Sequence, residues 1–295
     1  PARPGSVPAN AAAPISYGEA MTGAGEWTGR VGGVWAKEWQ RTDRSFGELT
    51  DRLLDPTALS SFSHALDIGC GAGEISIALA TRNPNAAITG LDISSDLLAI
   101  ARERAAELPN VAFHHADAAT WHLDKAAIAP DLLISRHGVM FFDHPVAAFA
   151  HLRLLASTNA LLRFSCFRER NANGWAELLQ GILPEPLSKP DPHAPGPFAF
   201  GNEDRVSVIL RDAGWKDIAF EPLDYAMIAG EGEDALEEAV AYFLRIGSAA
   251  SAIAALEGAT RERAIANLRA MLADHREQDR IALPAAAWIV TAHAG

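Results

Sequence analysis

Cysteine is almost missing from this chain: Cys70 and Cys166 are the only two in 295 residues. That is too few, and they lie too far inside apolar stretches, for a disulfide framework or a zinc site. No Lys/Arg run occurs either, and 37 acidic against 25 basic residues leave a net charge of −12. This balance argues against nucleic acid or an anionic membrane surface as a partner. There is no apolar run long enough to span a bilayer and no secretory leader pattern, so the expectation is a soluble, cytoplasmic protein. No internal repeat points to a solenoid. With 49% of its residues hydrophobic, the chain can bury a sizeable core in one domain, or in one domain with a cap.

What is present is organised around Ala65 to Ala80. An apolar strand carrying an acid, Ala65-Leu66-Asp67-Ile68, runs through Gly69-Cys70-Gly71-Ala72-Gly73 into an apolar helix that begins at Glu74. Strand, glycine turn and helix form the unit that opens a doubly wound sheet. The glycines allow a tight turn and leave bare main chain against which a ligand can lie. A dinucleotide would set its pyrophosphate here, but G-x-G-x-x-G counted from Gly69 demands glycine at 74, where the chain has Glu74. The carboxylates of Asp67 and Glu74 repel a phosphate and favour a cation.

These residues match the first motif of the class I S-adenosylmethionine-dependent methyltransferases. The chain resembles that family over roughly residues 25 to 292, most strongly from 63 to 167. S-adenosylmethionine carries a sulfonium and an ammonium and no phosphate, so acids beside its methionine end are favourable. Ile88-Thr89-Gly90-Leu91-Asp92 reads as a second strand whose acid, 19 residues after Gly73, is placed to accept from both ribose hydroxyls. Ser94-Ser95-Asp96 offers an N-cap for the run Leu97 to Ala105. Asn110 to Ala118 reads as a third strand ending in Asp117, which in the family accepts from the adenine amino group. The competing reading of Asp92 and Asp117 is as ordinary caps or turn formers. The resemblance implies S-adenosylmethionine as cofactor, held by Asp67, Gly69, Cys70, Gly71, Asp92, Ile93, Asp117, Ala118 and Ser135. It also implies an α/β fold: a Rossmann-like sheet of seven strands in the order 3-2-1-4-5-7-6, the last antiparallel, with N-terminal helices and an inserted helical cap. Periodicity itself supplies only the alternation of strands and helices.

Asp131 to Phe142 gives the fourth strand and the loop at its carboxyl end, which faces the ligand crevice of an open α/β sheet. The loop lacks the Asn/Asp-Pro-Pro-aromatic run of adenine and glutamine N-methyltransferases. Ser135-Arg136-His137-Gly138 resembles instead the loop of the ubiquinone and menaquinone C-methyltransferase group. His137 is a candidate general base, or a donor that orients the nucleophile, with a pKa near working pH; the alternative is a solvated or packed loop histidine. Pro145 to Leu155 reads as a helix and Ala160 to Phe167 as a fifth strand. That strand ends Cys166-Phe167-Arg168, without the carboxylates that metal-dependent O-methylation gathers there, so no metal is expected. His114 and His115 adjoin on a strand and point to opposite faces.

Residues 1 to 14 read as a flexible tail ahead of one methyltransferase domain over 15 to 295. Trp27 to Leu54 carries helical spacing for two helices. Within it, Trp27-Thr28-Gly29-Arg30-Val31-Gly32-Gly33-Val34-Trp35 resembles a segment that folds over cofactor and substrate in a bacterial branch of the family; plain core packing is the other reading. After a helix over Trp175 to Leu183, six prolines between Pro184 and Pro197 make a stiff loop, read as a pocket wall. Asn202 caps a helix over Glu203 to Ala213, Ile218 to Leu223 is a sixth strand, and Ala287 to Ala292 a seventh. Between those two, Asp234 to Ile246 and Ala259 to His275 are helical by period and form a cap over about 224–285, or else a dimerisation surface. Phe141, Phe142, Trp175, Phe198 and Phe200 lie on segments that surround the transferred methyl. With no basic cluster in the sequence, the acceptor is expected to be a small apolar or aromatic molecule methylated at oxygen or carbon by a monomer or homodimer. The alternatives are non-methylating use of the same cofactor, or a macromolecular acceptor.

Overall fold

The computed structural model describes residues 24–59, 61–124, 127–185, 191 and 193–295. The expected tail over 1–14 lies outside them, as do 186–190 and 192 of the proline-rich stretch.

Five strands are parallel: β1 (His64–Ile68), β2 (Ala87–Asp92), β3 (Val111–His115), β4 (Leu132–Arg136) and β5 (Leu161–Phe167). β1 and β5 are buried at every residue, as expected of parallel strands covered on both faces. β6 (Trp215–Glu231), the two-residue β7 (Arg276–Glu277) and β8 (Arg280–Ala294) complete the sheet. β8 runs antiparallel between β5 and β6, and β7 pairs with β8 alone. The order β3-β2-β1-β4-β5-β8-β6 is the one implied by the resemblance, with the last label shifted by the insertion of β7.

Among the described residues four short helices, not two, precede β1: α1 (Ala24–Trp27), α2 (Arg30–Lys37), α3 (Trp39–Ser45) and α4 (Gly47–Leu53). Glu38 (φ −104°, ψ 14°) and Phe46 (φ −110°, ψ 15°) interrupt the run. Both sit in the bridge region, where one residue turns the chain without disturbing the apolar spacing on either side. That is why the period reads as continuous. At the far end, Arg163 of β5 is buried and donates from Nε to the Leu53 carbonyl (2.9 Å) and from Nη2 to that of Arg52 (3.0 Å). The side chain thus satisfies the orphan carbonyls at the end of α4 and fastens it to the sheet.

The helices that alternate with the strands start where their capping residues are. α5 (Glu74–Arg82) follows Gly73, and α6 (Ser95–Arg104) is capped by Ser94, whose hydroxyl accepts from Leu97 N. α7 (Pro145–Leu155) opens on a proline at its first turn, α8 (Gly174–Gly181) follows, and α9 (Glu203–Asp212) is capped by Asn202 accepting from Arg205 N at 2.8 Å. Phe149 of α7 and Phe164 of β5 are fully buried with their rings 5.6 Å apart, and the Trp215 indole donates to the Phe149 carbonyl at 3.0 Å.

α10 (Ala235–Phe243), α11 (Gly247–Ala254) and α12 (Gly258–Ala273) lie between β6 and β8. The inserted cap is therefore smaller than expected. Residues 224–231 and 280–285 are strand: β6 and β8 extend their pairing as far as Glu231 opposite Arg280. Alanine-rich sequence and Pro284 hide this extension, because alanine has little intrinsic preference for strand and the pairing partner decides. α10 rests on β6 at the register shift between Ile228 and Gly230. A Cβ on Gly230 would collide with the Ala235 carbonyl and crowd Ala239 N at 3.0 Å. Gly230→Ala is therefore expected to lower stability by about 2 to 3 kcal/mol, the cost of overpacking a rigid contact; denaturant unfolding checks this, and an unchanged midpoint would show that α10 is free to lift from the sheet.

Candidate cofactor and acceptor site

The loop after β1 turns on three glycines in the left-handed region, Gly69 (φ 67°), Gly71 (φ 54°) and Gly73 (φ 86°), which side chains with a Cβ adopt only under strain. A Cβ on Gly69 would stand 2.9 Å from Gly138 Cα, so the loop after β4 closes directly upon it. On Gly71 a Cβ would meet nothing within 4 Å: this is the open face on which a ligand can lie. Cys70 donates its N–H to the Leu91 carbonyl (2.9 Å), and burial, then Asp67 and Asp92, hold its thiol well above the usual range, so it is inert.

Asp67 is 1% exposed, and its Oδ2 accepts from Ser76 Oγ at 2.6 Å while the buried Oδ1 has no partner. Burial, only partly opposed by Ser76 and Arg136, pushes its pKa up to about 7. A buried carboxylate oxygen left unpaired is costly, and a cationic ammonium or its hydration water would relieve it. The expected cofactor presents such an ammonium, so the donor set fits. Asp92 is buried and accepts from Gly71 N through Oδ2 and Ser94 N through Oδ1, each at 2.8 Å; burial raises its pKa against those bonds. Each oxygen keeps a second lone pair for a hydroxyl. The Ile93 carbonyl meets the His115 ring at 2.9 Å, whereas His114 faces Trp121. Asp117 is exposed and closes a turn by accepting from Ala119 N at 2.8 Å, with Ala118 buried beside it. Capping and ligand binding are thus compatible roles for both acids.

Two readings of this region change. Ser135 is fully buried and its hydroxyl is engaged on both sides, donating to the Ile68 carbonyl (2.6 Å) and accepting from Gly138 N (3.1 Å). It braces β1 against the β4 loop and its side chain offers nothing to a cofactor. Glu74 does not face a cofactor cation as a free charge: it pairs with Arg136, whose guanidinium also reaches Asp43 Oδ1 (3.1 Å) and Thr50 Oγ1 (2.9 Å). Above the loop, Trp27, Trp35 and Trp39 pack around Ala36, Ala72 and Leu97. The N-terminal helices therefore roof the glycine loop by packing on it.

His137 departs most from expectation. It stands at φ 65°, is buried, stacks on Phe167 (centroids 4.2 Å) and meets Phe46 edge-on at 5.2 Å. Burial, and then the neighbouring Arg136 charge, drive its pKa down to about 3. The buried, stacked ring fits the reading of a packed loop histidine, and the lowered pKa favours its neutral form. Its Nδ1 lies 3.4 Å from Ser165 Oγ, and its buried Nε2 has no partner. A non-glycine residue held in the left-handed region with an unsatisfied buried nitrogen is a mark of strain maintained at a site.

Of the five aromatics expected around the methyl, Trp175 and Phe198 stack on each other (5.7 Å) and reach Phe167 at 5.3 and 6.0 Å, so they share a wall with His137. Phe141 lies under the roof against Trp27 (5.1 Å). Phe142, half-buried, packs on Phe149, and Phe200 is fully buried between Phe149 and Phe164, so Phe200 belongs to the core. Missing from the sequence reading were Phe46, Phe167, Arg136 and Tyr225, whose buried hydroxyl also has no partner. Phe167 and Arg136 could have been found by the rule that ligands meet carboxyl ends of strands. Phe46 and Tyr225 arrive from distant segments and carry no local signal.

Residues 65–157 match the sequence family described as a methyltransferase domain. The chain is 46% identical over 81 residues to the trans-aconitate 2-methyltransferase of Paracidovorax citrulli, covering 28% of this chain and 30% of that one. It is 28% identical over 119 residues to the malonyl-acyl-carrier-protein O-methyltransferase of a Paenibacillus species, covering 40% and 42%. The matched stretch is thus less than half the length of either relative. Among solved structures, phosphoethanolamine N-methyltransferase 2 of Haemonchus contortus, in complex with S-adenosyl-L-methionine, aligns over 88% of this chain and 56% of that one with a TM-score of 0.51 and 15% identity, a likeness of fold. Neither curated relative is named for a quinone, so they lend no weight to the resemblance of the Ser135 to Gly138 loop to the quinone group.

Asp92→Ala is expected to weaken S-adenosylmethionine binding by about 1.5 to 3 kcal/mol, the range for hydrogen bonds to a charged group; unchanged affinity in calorimetry would remove Asp92 from the ribose. Asp67 generates a pH dependence. Its folded pKa of about 7 lies above the ordinary 3.8, so the folded state holds a proton that the unfolded chain has released. Its contribution to stability is present below about pH 4 and is lost as pH rises through 7. Binding an ammonium must expel that proton, so affinity should climb with pH up to about 7 and then level, and Asp67→Asn should flatten the curve. A parent curve already flat between pH 5.5 and 8 contradicts this role.

Proposed function

We propose that this S-adenosylmethionine-dependent methyltransferase passes its methyl group to a small molecule with a flat, apolar body, at an oxygen already ionised at neutral pH, a carboxylate above all, and without a metal. The observation that carries this reading is His137, the imidazole of the aromatic wall, buried and stacked on Phe167 in surroundings that favour its neutral form. A carbon or alcohol acceptor has to lose a proton, and an imidazole whose pKa is driven down to about 3 is a weak base for that task. A carboxylate needs no base. The names of the relatives favour the same class, since trans-aconitate and malonyl groups both carry carboxylates.

When bound, the cofactor supplies a methyl group made electrophilic by its sulfonium. Everything else is the work of this chain. Gly71 leaves main chain bare, Asp67 meets an ammonium, and Asp92 and Asp117 accept from the nucleoside. Phe46, Phe167, Trp175 and Phe198 exclude water and hold a flat body by its faces. His137 Nε2, lacking a partner, hydrogen-bonds the acceptor and fixes its line of approach, and proximity and alignment are the main demands of a direct displacement. The end of β5, Phe167 and Arg168, provides no carboxylates for a divalent ion.

Incubating the protein with methyl-labelled cofactor and fractionated cell extract should put label into the small-molecule fraction; label confined to macromolecules contradicts the proposal. His137→Asn, chosen because asparagine tolerates φ near 65°, should lower kcat about tenfold, the worth of one oriented hydrogen bond. The pH profile should keep its shape between 5 and 8, and a limb near pH 6.5 that vanishes in the variant would instead make His137 a base.

A further inference from the structure

No basic run exists in the sequence, yet Arg30, Lys37, Arg41 and Arg44 fall at i, i+7, i+11 and i+14. The single-residue break at Glu38 leaves that phase intact, so all four line one cavity of about 780 Å³ with Arg245, which follows α10. The cavity is the seam between α2–α3 and α10–α11, and no residue of the glycine loop lines it. Five cations meet two carboxylates there. Glu38, only 4% exposed, is shared by Arg41 (2.6 Å) and Arg245 (2.7 Å), and Glu238 by Arg41 (3.2 Å) and Arg44 (2.9 Å). Arg41 and Arg44 also line an adjoining hollow with Glu231, Glu233, Asp234, Glu237 and Glu238. Arg30 and Lys37 are exposed and form no ion pair with any described residue. In a chain of net charge −12 this concentration of positive charge is not a by-product of composition, and its volume falls in the range of small-molecule sites.

We propose that this seam is a binding site for a small polyanion, a molecule carrying two or more carboxylate or phosphate groups, which Arg30, Lys37 and Arg245 engage from two helical layers at once. Guanidinium groups suit planar, bidentate recognition of such oxygens, while a lysine adds a point charge. An occupant would bridge the roof over the glycine loop to the inserted helices and so hold the roof down. The site is distinct from the cofactor crevice and does not depend on the acceptor chemistry proposed above.

The test is calorimetric titration of the full chain with tricarballylate and, separately, with inorganic pyrophosphate, at fixed ionic strength so that general salt effects cancel. Saturable binding of at least one is expected, weakened tenfold or more in Arg30→Gln/Lys37→Gln, while S-adenosylhomocysteine affinity stays at the parent value. Preference for tricarballylate or pyrophosphate assigns the anion to carboxylate or phosphate chemistry. No saturable binding of either, or equal binding by parent and double variant, overturns the site. Retained cofactor affinity in the variant separates that failure from any failure of the methyltransferase reading, and a variant that loses cofactor affinity as well is replaced by Arg245→Gln under the same criteria.

Discussion

The guanidinium of Arg136, at the carboxyl end of β4, is the junction on which the site depends. It pairs with Glu74 at the start of α5 and with Asp43 of α3, donates to Thr50 Oγ1 of α4, and lies over the Phe46 ring at 5.5 Å. Burial works against its charge, but Glu74 and Asp43 more than offset this and raise its pKa. A charge in this position is tolerable only while its partners stay, and breaking one side of such a pair costs about 3 to 5 kcal/mol. The glycine-loop helix, the roof and the β4 loop thus meet at one cation, which adds to the brace of Ser135 and the packing of the tryptophans. The same cation helps keep its neighbour His137 neutral, so the roof's anchor also sets the chemistry of the wall below.

This arrangement explains why some of the molecule was legible in its sequence and some was not. Strands β1, β2, β4 and β5 are short, mostly apolar and each followed by a helix, and Ser94 and Asn202 cap two of the helices between strands, so local pattern and global fold agree. The glycine turn was legible because Gly69, Gly71 and Gly73 occupy backbone that few other residues adopt. β6 and β8 extend far past their apolar cores because each pairs with the other along its length, a tertiary fact with no local trace.

Side-chain roles were harder to read than positions. Ser135 and Phe200 occur where the sheet rule expects a site, but each turns inward, Ser135 to the Ile68 carbonyl and Phe200 to Phe164. His137 was found by position, but the choice between a titrating and a packed histidine was not legible, since its burial depends on Phe46 and Phe167 from other parts of the chain. Charge clusters follow the same logic. A cationic face written at heptad-like spacing over two helices is invisible to a search for basic runs, and its meaning depends on Arg245 arriving from beyond α10.

The central claim is that the wall around His137 serves an acceptor oxygen needing no base. The most direct measurement is the base-lability of the product. After turnover with methyl-labelled S-adenosylmethionine, mild alkali should release the label as volatile methanol, as a methyl ester must. Label that stays with the product through alkali, as in an ether or a carbon-methyl bond, would contradict a carboxylate acceptor.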